Sequence, residues 1–456
     1  MQNLLDYWLQ RCYTALFFLL PWSVEVPCGV FAINMPAEPL MAVCSLLLLG
    51  QLICPNPTRP PALKNFRDVL RGKQGGNGGT IAFGWRNPLV LSLLWLIWMG
   101  ISAFFSSMPL VSWKYWIVEA THWWLFAFGM ALVPGLWRRV IPWFGGSMVL
   151  FVVYALAHHG QYHFRADQSI LAPMPFFPDH TLYAAVLAML LPWSGLVAHP
   201  NGTKQANFHL GHKALFVLPS WIKGSGRIGF VATILLIGLW FAFCRAAWLS
   251  LMVAGCAVFL LYRFRAFGNW VVLLLFTGLL ASLFVWPLLT PRLAANLAIR
   301  DVSLLERLNR YACAGQMARE RPVTGFGPGT FQFQYLPFQR SENATRITIS
   351  EPVLERNADT YGRGGGAHSE YLQSLSETGW PGVALQFVFI AAVLFGFNGL
   401  YKKTGAWPIL FCLFSLLTFF LHGMVNNFLH DGRIAALVLG AIGHYNGLFG
   451  ARLSKF

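Results

Sequence analysis

Apolar runs of about 15–20 residues alternate with short polar connectors along nearly the whole chain. The runs fall near 13–31, 36–54, 88–106, 113–134, 141–158, 180–198, 229–243, 247–262, 270–289, 380–399, 407–428 and 434–450. Each is long enough, or nearly so, to cross a bilayer as a helix, and together they predict about twelve spans. Residues 291–378 form the largest stretch without such a run. The pattern divides the chain into three parts: residues 1–290, with nine predicted spans and basic connectors; 291–378, a polar loop; and 379–456, with three more spans and a short tail. No repeat of fixed period is evident. The predicted fold class is an all-α polytopic membrane protein of about twelve transmembrane helices with one large, partly helical loop.

Composition agrees with that reading. Of 456 residues, 56% are hydrophobic and 11% charged, and the mean hydropathy is +0.54. Soluble domains carry about 25% charged residues. The net charge of +16 would suit nucleic acid, but its placement points to topology. Eight of the nine lysines fall in connectors or the tail that the positive-inside rule assigns to the cytoplasm; Lys114 is the exception. Both termini are then expected inside, and the 291–378 loop in the periplasm. The first apolar run lacks a small-residue cleavage site and is read as an anchor. The eight cysteines are scattered with no Cys-x-x-Cys pair, which suits buried apolar roles better than metal or disulfide.

Candidate chemistry concentrates in the large loop. It holds ten arginines and no lysine. A guanidinium matches phosphate oxygens as a fork and stays charged, so the bias points to phosphate; salt bridging within the loop is the competing reading. Arg245 stands between two apolar runs on the predicted outer side, where a charge needs a reason. A headgroup-facing arginine is the alternative there. Arg165 has a similar position, but Asp167 is beside it. His368 follows three glycines and opens a helix, a place suited to a general base near neutral pH. His158, His159 and His163 have no acidic partner at ligand spacing, so no metal site is expected. Asp179 reads as the N-cap of a helix opening at His180. The Gly- and Pro-bearing segment 318–331 predicts tight turns whose N–H groups could approach a ligand.

Taken together these residues resemble the O-antigen ligase and O-antigen polymerase superfamily of membrane glycosyltransferases. His368, Ser369, Gly379 and Gly382 fit one block of the family pattern. Arg307 followed by Pro322, Gly325 and Gly327 fits a second, and Arg245 with Trp248 a third. The resemblance spans roughly residues 160–440. It implies a GT-C-like bundle with a periplasmic helical loop, in the bacterial inner membrane. It further implies an undecaprenyl-pyrophosphate-linked glycan donor and metal-independent, inverting transfer to a sugar hydroxyl, with no cofactor. His368 would be the base, and Arg245, Arg307 and Arg165 would bind the diphosphate. The acceptor would be lipid A-core for an O-antigen ligase, or another lipid-linked glycan for an O-antigen or exopolysaccharide polymerase. Attachment of glycans to protein is a third possibility on the same fold, and a glycan transporter is the alternative from another class. The segment 176–183 departs from the Asn-rich turn many members carry there, and this puts the polymer and acceptor in question.

Overall fold

The computed structural model describes residues 2–28, 31–53, 87–133, 135–198, 225–296, 302–339 and 365–453. The Gly75–Gly79 run, most basic residues of 54–86 and 199–224, and Arg300, Arg340, Arg346, Arg356 and Arg363 lie outside them.

The described chain is helical apart from one hairpin. Its helices are α1 (Gln2–Leu19), α2 (Ala37–Ile53), α3 (Pro88–Phe104), α4 (Pro109–His122), α5 (Leu136–Gly160), α6 (His180–Ala198), α7 (Ser225–Phe241), α8 (Arg245–Arg263), α9 (Gly268–Asn296), α10 (Val302–Glu320), α11 (Glu370–Thr404), α12 (Trp407–His422) and α13 (Gly432–Leu453). Helix α4 runs on through a π-helical stretch, Trp123–Gly129. All except α1 and α10 coincide with a predicted apolar run. Among the described residues, four segments are long and apolar enough to cross a membrane: Leu136–Gly160, Arg245–Arg263, Arg265–Leu283 and Glu370–Thr404. Five shorter apolar helices accompany them. Exposed large side chains such as Trp240, Leu249, Phe259, Trp270 and Leu274 give α7–α9 an apolar outer face, as hydrocarbon surroundings require.

The first run needs correction. Its helix occupies Gln2–Leu19, earlier than the predicted 13–31. The chain then turns at Leu20–Trp22 and enters strand β1 (Val24–Cys28), paired antiparallel with β2 (Phe31–Met35). The register sets Val24 against Met35 and Val26 against Ile33. The cause is local. Pro27 cannot supply a helix-interior N–H, and Val24, Val26 and Ile33 favour a pleated backbone.

Helix α11 packs against α3 and α10, and α12 packs against α6 and α8. The N-termini of α6, α8 and α11 and the C-terminus of α12 are thereby brought to the region described next.

Candidate active site

Helix α11 contains both Gly379 and Pro381. Pro381 has no N–H for the carbonyl of Glu377, four residues back. Gly379 leaves the helical region altogether, with φ 71° and ψ −175°. The freed carbonyls are met from the loop that follows α10. Phe326 N–H donates to Ser376 O at 3.0 Å, Gly327 N–H donates to Glu377 O at 2.9 Å, and Trp380 N–H donates to Pro322 O at 2.8 Å. Ser102 Oγ donates to Glu377 O at 3.0 Å and Trp98 Nε1 to Thr378 O at 2.9 Å, both from α3. The two sequence blocks, Pro322–Gly325–Gly327 and Gly379–Gly382, are thus halves of one joint. A Cβ on Gly325 (φ 66°) would run into the Glu377 backbone, and one on Gly379 into the Val323 carbonyl. The N–H groups of Phe326 and Gly327 are spent on helix carbonyls. The expectation that this turn offers N–H groups to a ligand is corrected at these two residues.

With that joint fixed, the first turn of α11 and the residues before it have a set position. Ser369 caps α11, its Oγ accepting from Leu372 N–H. Ala367 N–H donates to Gln373 Oε1 at 2.8 Å. Glu370 N–H donates to Gly423 O at 2.8 Å, tying the loop to the end of α12. Helix α10 holds it from the other side. Arg310 Nη1 donates to Gly366 O at 2.9 Å, and Tyr311 Oη donates to His368 O at 3.0 Å. Arg310 is itself buried and paired with Glu306 at 2.8 Å.

His368 stands at the centre with φ 52°. It is half-buried. Its imidazole is held down to about 3, first by desolvation and then by the charges of Arg310 and Arg307, with Asp179 opposing them. It is therefore neutral near pH 7, and negative charge brought beside the arginines would raise its basicity. Arg307 lies one helical turn before Tyr311, within electrostatic reach of His368, Tyr311, Cys244 and His422. Its Nε is buried and has no hydrogen-bond partner among the described residues.

Asp179 is the cap that was expected: Thr181 N–H donates to its Oδ1 at 2.9 Å. It does more than cap, because it faces His368, Cys244 and His422 electrostatically. Burial raises its carboxyl, but contacts from His180 and Thr181 outweigh that and hold it near 2. His180 Nδ1 lies 3.0 Å from Asp179 Oδ1. Arg245 opens α8 immediately after Cys244, its N-cap residue, and is exposed. Its neighbour Cys244 is within electrostatic reach of Asp179 and Arg307. Arg165 is paired through Nη2 with Asp167 at 2.9 Å on the surface. Its loop packs on the turn before Arg245: Phe164 meets Phe241 at 4.8 Å and His159 meets Phe243 at 6.0 Å between ring centroids.

Among the described residues, four other than glycine adopt positive φ: His163, Phe164, Phe243 and His368. All four lie in the loops just described. Such backbone conformations cost energy and persist where packing enforces them. Sequence reasoning missed Asp179 as more than a cap and did not weigh His422. His422 ends an apolar helix and accepts or donates at Nε2 with Asn426 at 2.9 Å. An ionisable residue at the end of an apolar run is the signal that could have found it.

Residues 230–387 match the O-antigen ligase family. That stretch begins in α7 and ends beyond the α11 kink, so it contains Arg245, Arg307, the 322–327 turn and His368. The superfamily resemblance read from those residues holds for this segment. No curated protein matches the chain.

Proposed function

We propose that this protein is a membrane glycosyltransferase that moves a glycan from undecaprenyl pyrophosphate to a sugar hydroxyl, acting as an O-antigen ligase on the periplasmic side of the inner membrane. The observation that carries the reading is the meeting of a neutral imidazole, His368, with Arg307 and the α8 terminus bearing Arg245. The acceptor oxygen attacks C1 of the first donor sugar from the face opposite the leaving group. The bond from C1 to the pyrophosphate oxygen breaks, and the acceptor proton passes to His368. Undecaprenyl pyrophosphate leaves with the bonding electrons. Arg307 and Arg245 supply positive charge where the leaving group gains negative charge, and no step requires a metal or cofactor. Arg165 stays at the rim, its charge paired with Asp167.

The test is transfer in vitro with purified protein and undecaprenyl-pyrophosphate-linked glycan. Product that appears only with lipid A-core and is lost in His368→Ala supports the ligase. Longer lipid-linked glycan without lipid A-core supports the polymerase reading. No product with either acceptor counts against both.

A further inference from the structure

A second concave site lies beside the catalytic loops. It is a cavity of about 730 Å³ between the β1–β2 hairpin, α2, α4 and the turn before α13. Its wall includes Pro178, one peptide bond from Asp179, and His430. The backbone leading to His430 is anchored near the catalytic histidine: Glu370, two residues after His368, accepts Phe428 N–H at 3.0 Å and Leu429 N–H at 3.3 Å. Arg245 and Arg165 do not line this cavity.

Its chemistry differs from that of the arginine side. Three carboxylates line it, Glu25, Glu38 and Asp431, against one guanidinium, Arg433. Arg433 is already committed. It pairs with Asp431 at 3.1 Å and donates to the carbonyls of Leu20, Ser23 and Phe176 at 3.3, 3.0 and 2.6 Å. Its face lies 4.2 Å from the Phe177 ring centroid. Glu38 accepts from Asn34 Nδ2 at 2.9 Å and keeps lone pairs to spare. His122 is 4% exposed. It lines the cavity, and its Nδ1 has no partner among the described residues. Among those residues, no group of three His, Cys, Asp or Glu side chains converges as metal ligands would. One flank is apolar and opens outward, since lining residues Leu46 and Ile117 are largely exposed.

We infer that this cavity seats the acceptor, and that the part it holds is an uncharged, hydroxyl-rich sugar of a lipid-linked acceptor whose phosphates stay outside the cavity. This rests on the transferase reading above and deepens it. Carboxylates, an amide and the His122 Nδ1, which has no hydrogen-bond partner among the described residues, match the donors and acceptors of sugar hydroxyls. The same carboxylates repel phosphate, which the committed Arg433 cannot offset. The exposed apolar flank lets the lipid chain run out between α2 and α4. The two substrates would thus approach Asp179 and His368 from sides of opposite charge, which keeps the anionic donor out of the acceptor's place.

The experiment uses the full chain in phosphatidylcholine nanodiscs and two photoreactive probes: an alkyl glucoside with a diazirine on its chain, and the same glucoside carrying a 6-phosphate. Crosslinked peptides are read by mass spectrometry, without donor. The neutral probe should label Ala37–Ile53 and Pro109–His122, and the phosphorylated one on the order of tenfold less. Glu25→Lys with Glu38→Lys should remove or reverse that preference. The milder Glu25→Gln with Glu38→Gln should narrow it, and serves if the lysine pair does not fold. Equal labelling by both probes overturns the inference, as does a preference for phosphate in the unaltered protein. Labelling in His368→Ala that matches the unaltered protein supports it, since that variant lacks only the base. Intact transfer without labelling of α2 or α4 overturns the cavity assignment alone. Labelling as described with no glycan transfer overturns the transferase reading and leaves the neutral-sugar site standing.

Discussion

Tyr311 and His368 are joined through a hydrogen bond from the phenol to the histidine's carbonyl oxygen, 3.0 Å long. The bond fixes the backbone of a residue in the left-handed region, so it sets where the imidazole points. Tyr311→Phe removes this bond, together with the longer contact of the same phenol with Met424 O at 3.5 Å. One such bond is worth about 1 kcal/mol, so kcat should fall roughly 5- to 10-fold while the KM for donor changes little. Steady-state kinetics on the purified variant check this. A drop in Tm of many degrees with unchanged kcat would show that the phenol serves the fold instead.

Burial and two guanidiniums hold the His368 imidazole near 3. In the unfolded chain it would titrate near 6.5. Between those values the unfolded state binds a proton that the folded state does not. Stability therefore falls as pH falls from about 6.5 toward 3, and this contribution is fully present above 6.5. Subtracting the Tm–pH profile of His368→Gln from that of the unaltered protein isolates the effect. A flat difference across that window would contradict the assignment.

The same field makes a kinetic prediction. Bound diphosphate brings negative charge to Arg307 and so relieves its pressure on His368. The acid limb of kcat, which reports the substrate complex, should lie at higher pH than that of kcat/KM, which reports the free enzyme. Rate profiles carried down to about pH 2 reach both limbs, since that of the free enzyme is expected near 3. Coincident limbs near 6.5 would argue that neither the arginines nor the diphosphate acts on His368.

Eleven of the twelve apolar stretches were legible as helices because apolar runs of that length have few other uses. The hairpin at 24–35 was not, since Val24, Val26 and Ile33 are as apolar as helix residues and short runs do not distinguish strand from helix. Arg307 and His368 were legible by type and place. The partnership of Asp179 with His368 was not, because it joins elements nearly two hundred residues apart and the cap explained Asp179 locally. Nor was the use of the 322–327 turn. Its N–H groups looked available until the carbonyls freed by Pro381 were seen to need them.

That joint can be broken at one atom. Gly379→Ala places a Cβ against the Val323 carbonyl at a positive φ, and Gly325→Ala does the same against Glu377. The backbone conformation alone costs roughly 1–3 kcal/mol in a residue with a side chain, before the collision is counted. Both variants should melt lower, and both should lose transfer because α11 no longer aims the residues before it. Gly399→Ala is the control, since a Cβ there meets nothing within 4 Å; its Tm should match the unaltered protein. Equal melting of all three would remove the joint from the account of the site.

Arg307 offers the sharpest test of diphosphate recognition. Its Nε is buried and has no hydrogen-bond partner among the described residues, a cost that bound phosphate oxygens would offset. Lysine keeps the charge but loses the fork. Arg307→Lys should therefore weaken donor binding, and Arg307→Ala should weaken it further, with the two differing by the share that charge alone supplies. Titration with undecaprenyl pyrophosphate itself avoids dependence on the glycan. Removing the charge also relieves His368, so in Arg307→Ala the acid limb of kcat/KM should move up in pH. A change in donor affinity without that movement would separate the two roles and place Arg307 on the substrate alone. Unchanged affinity in both variants would remove it from the diphosphate site.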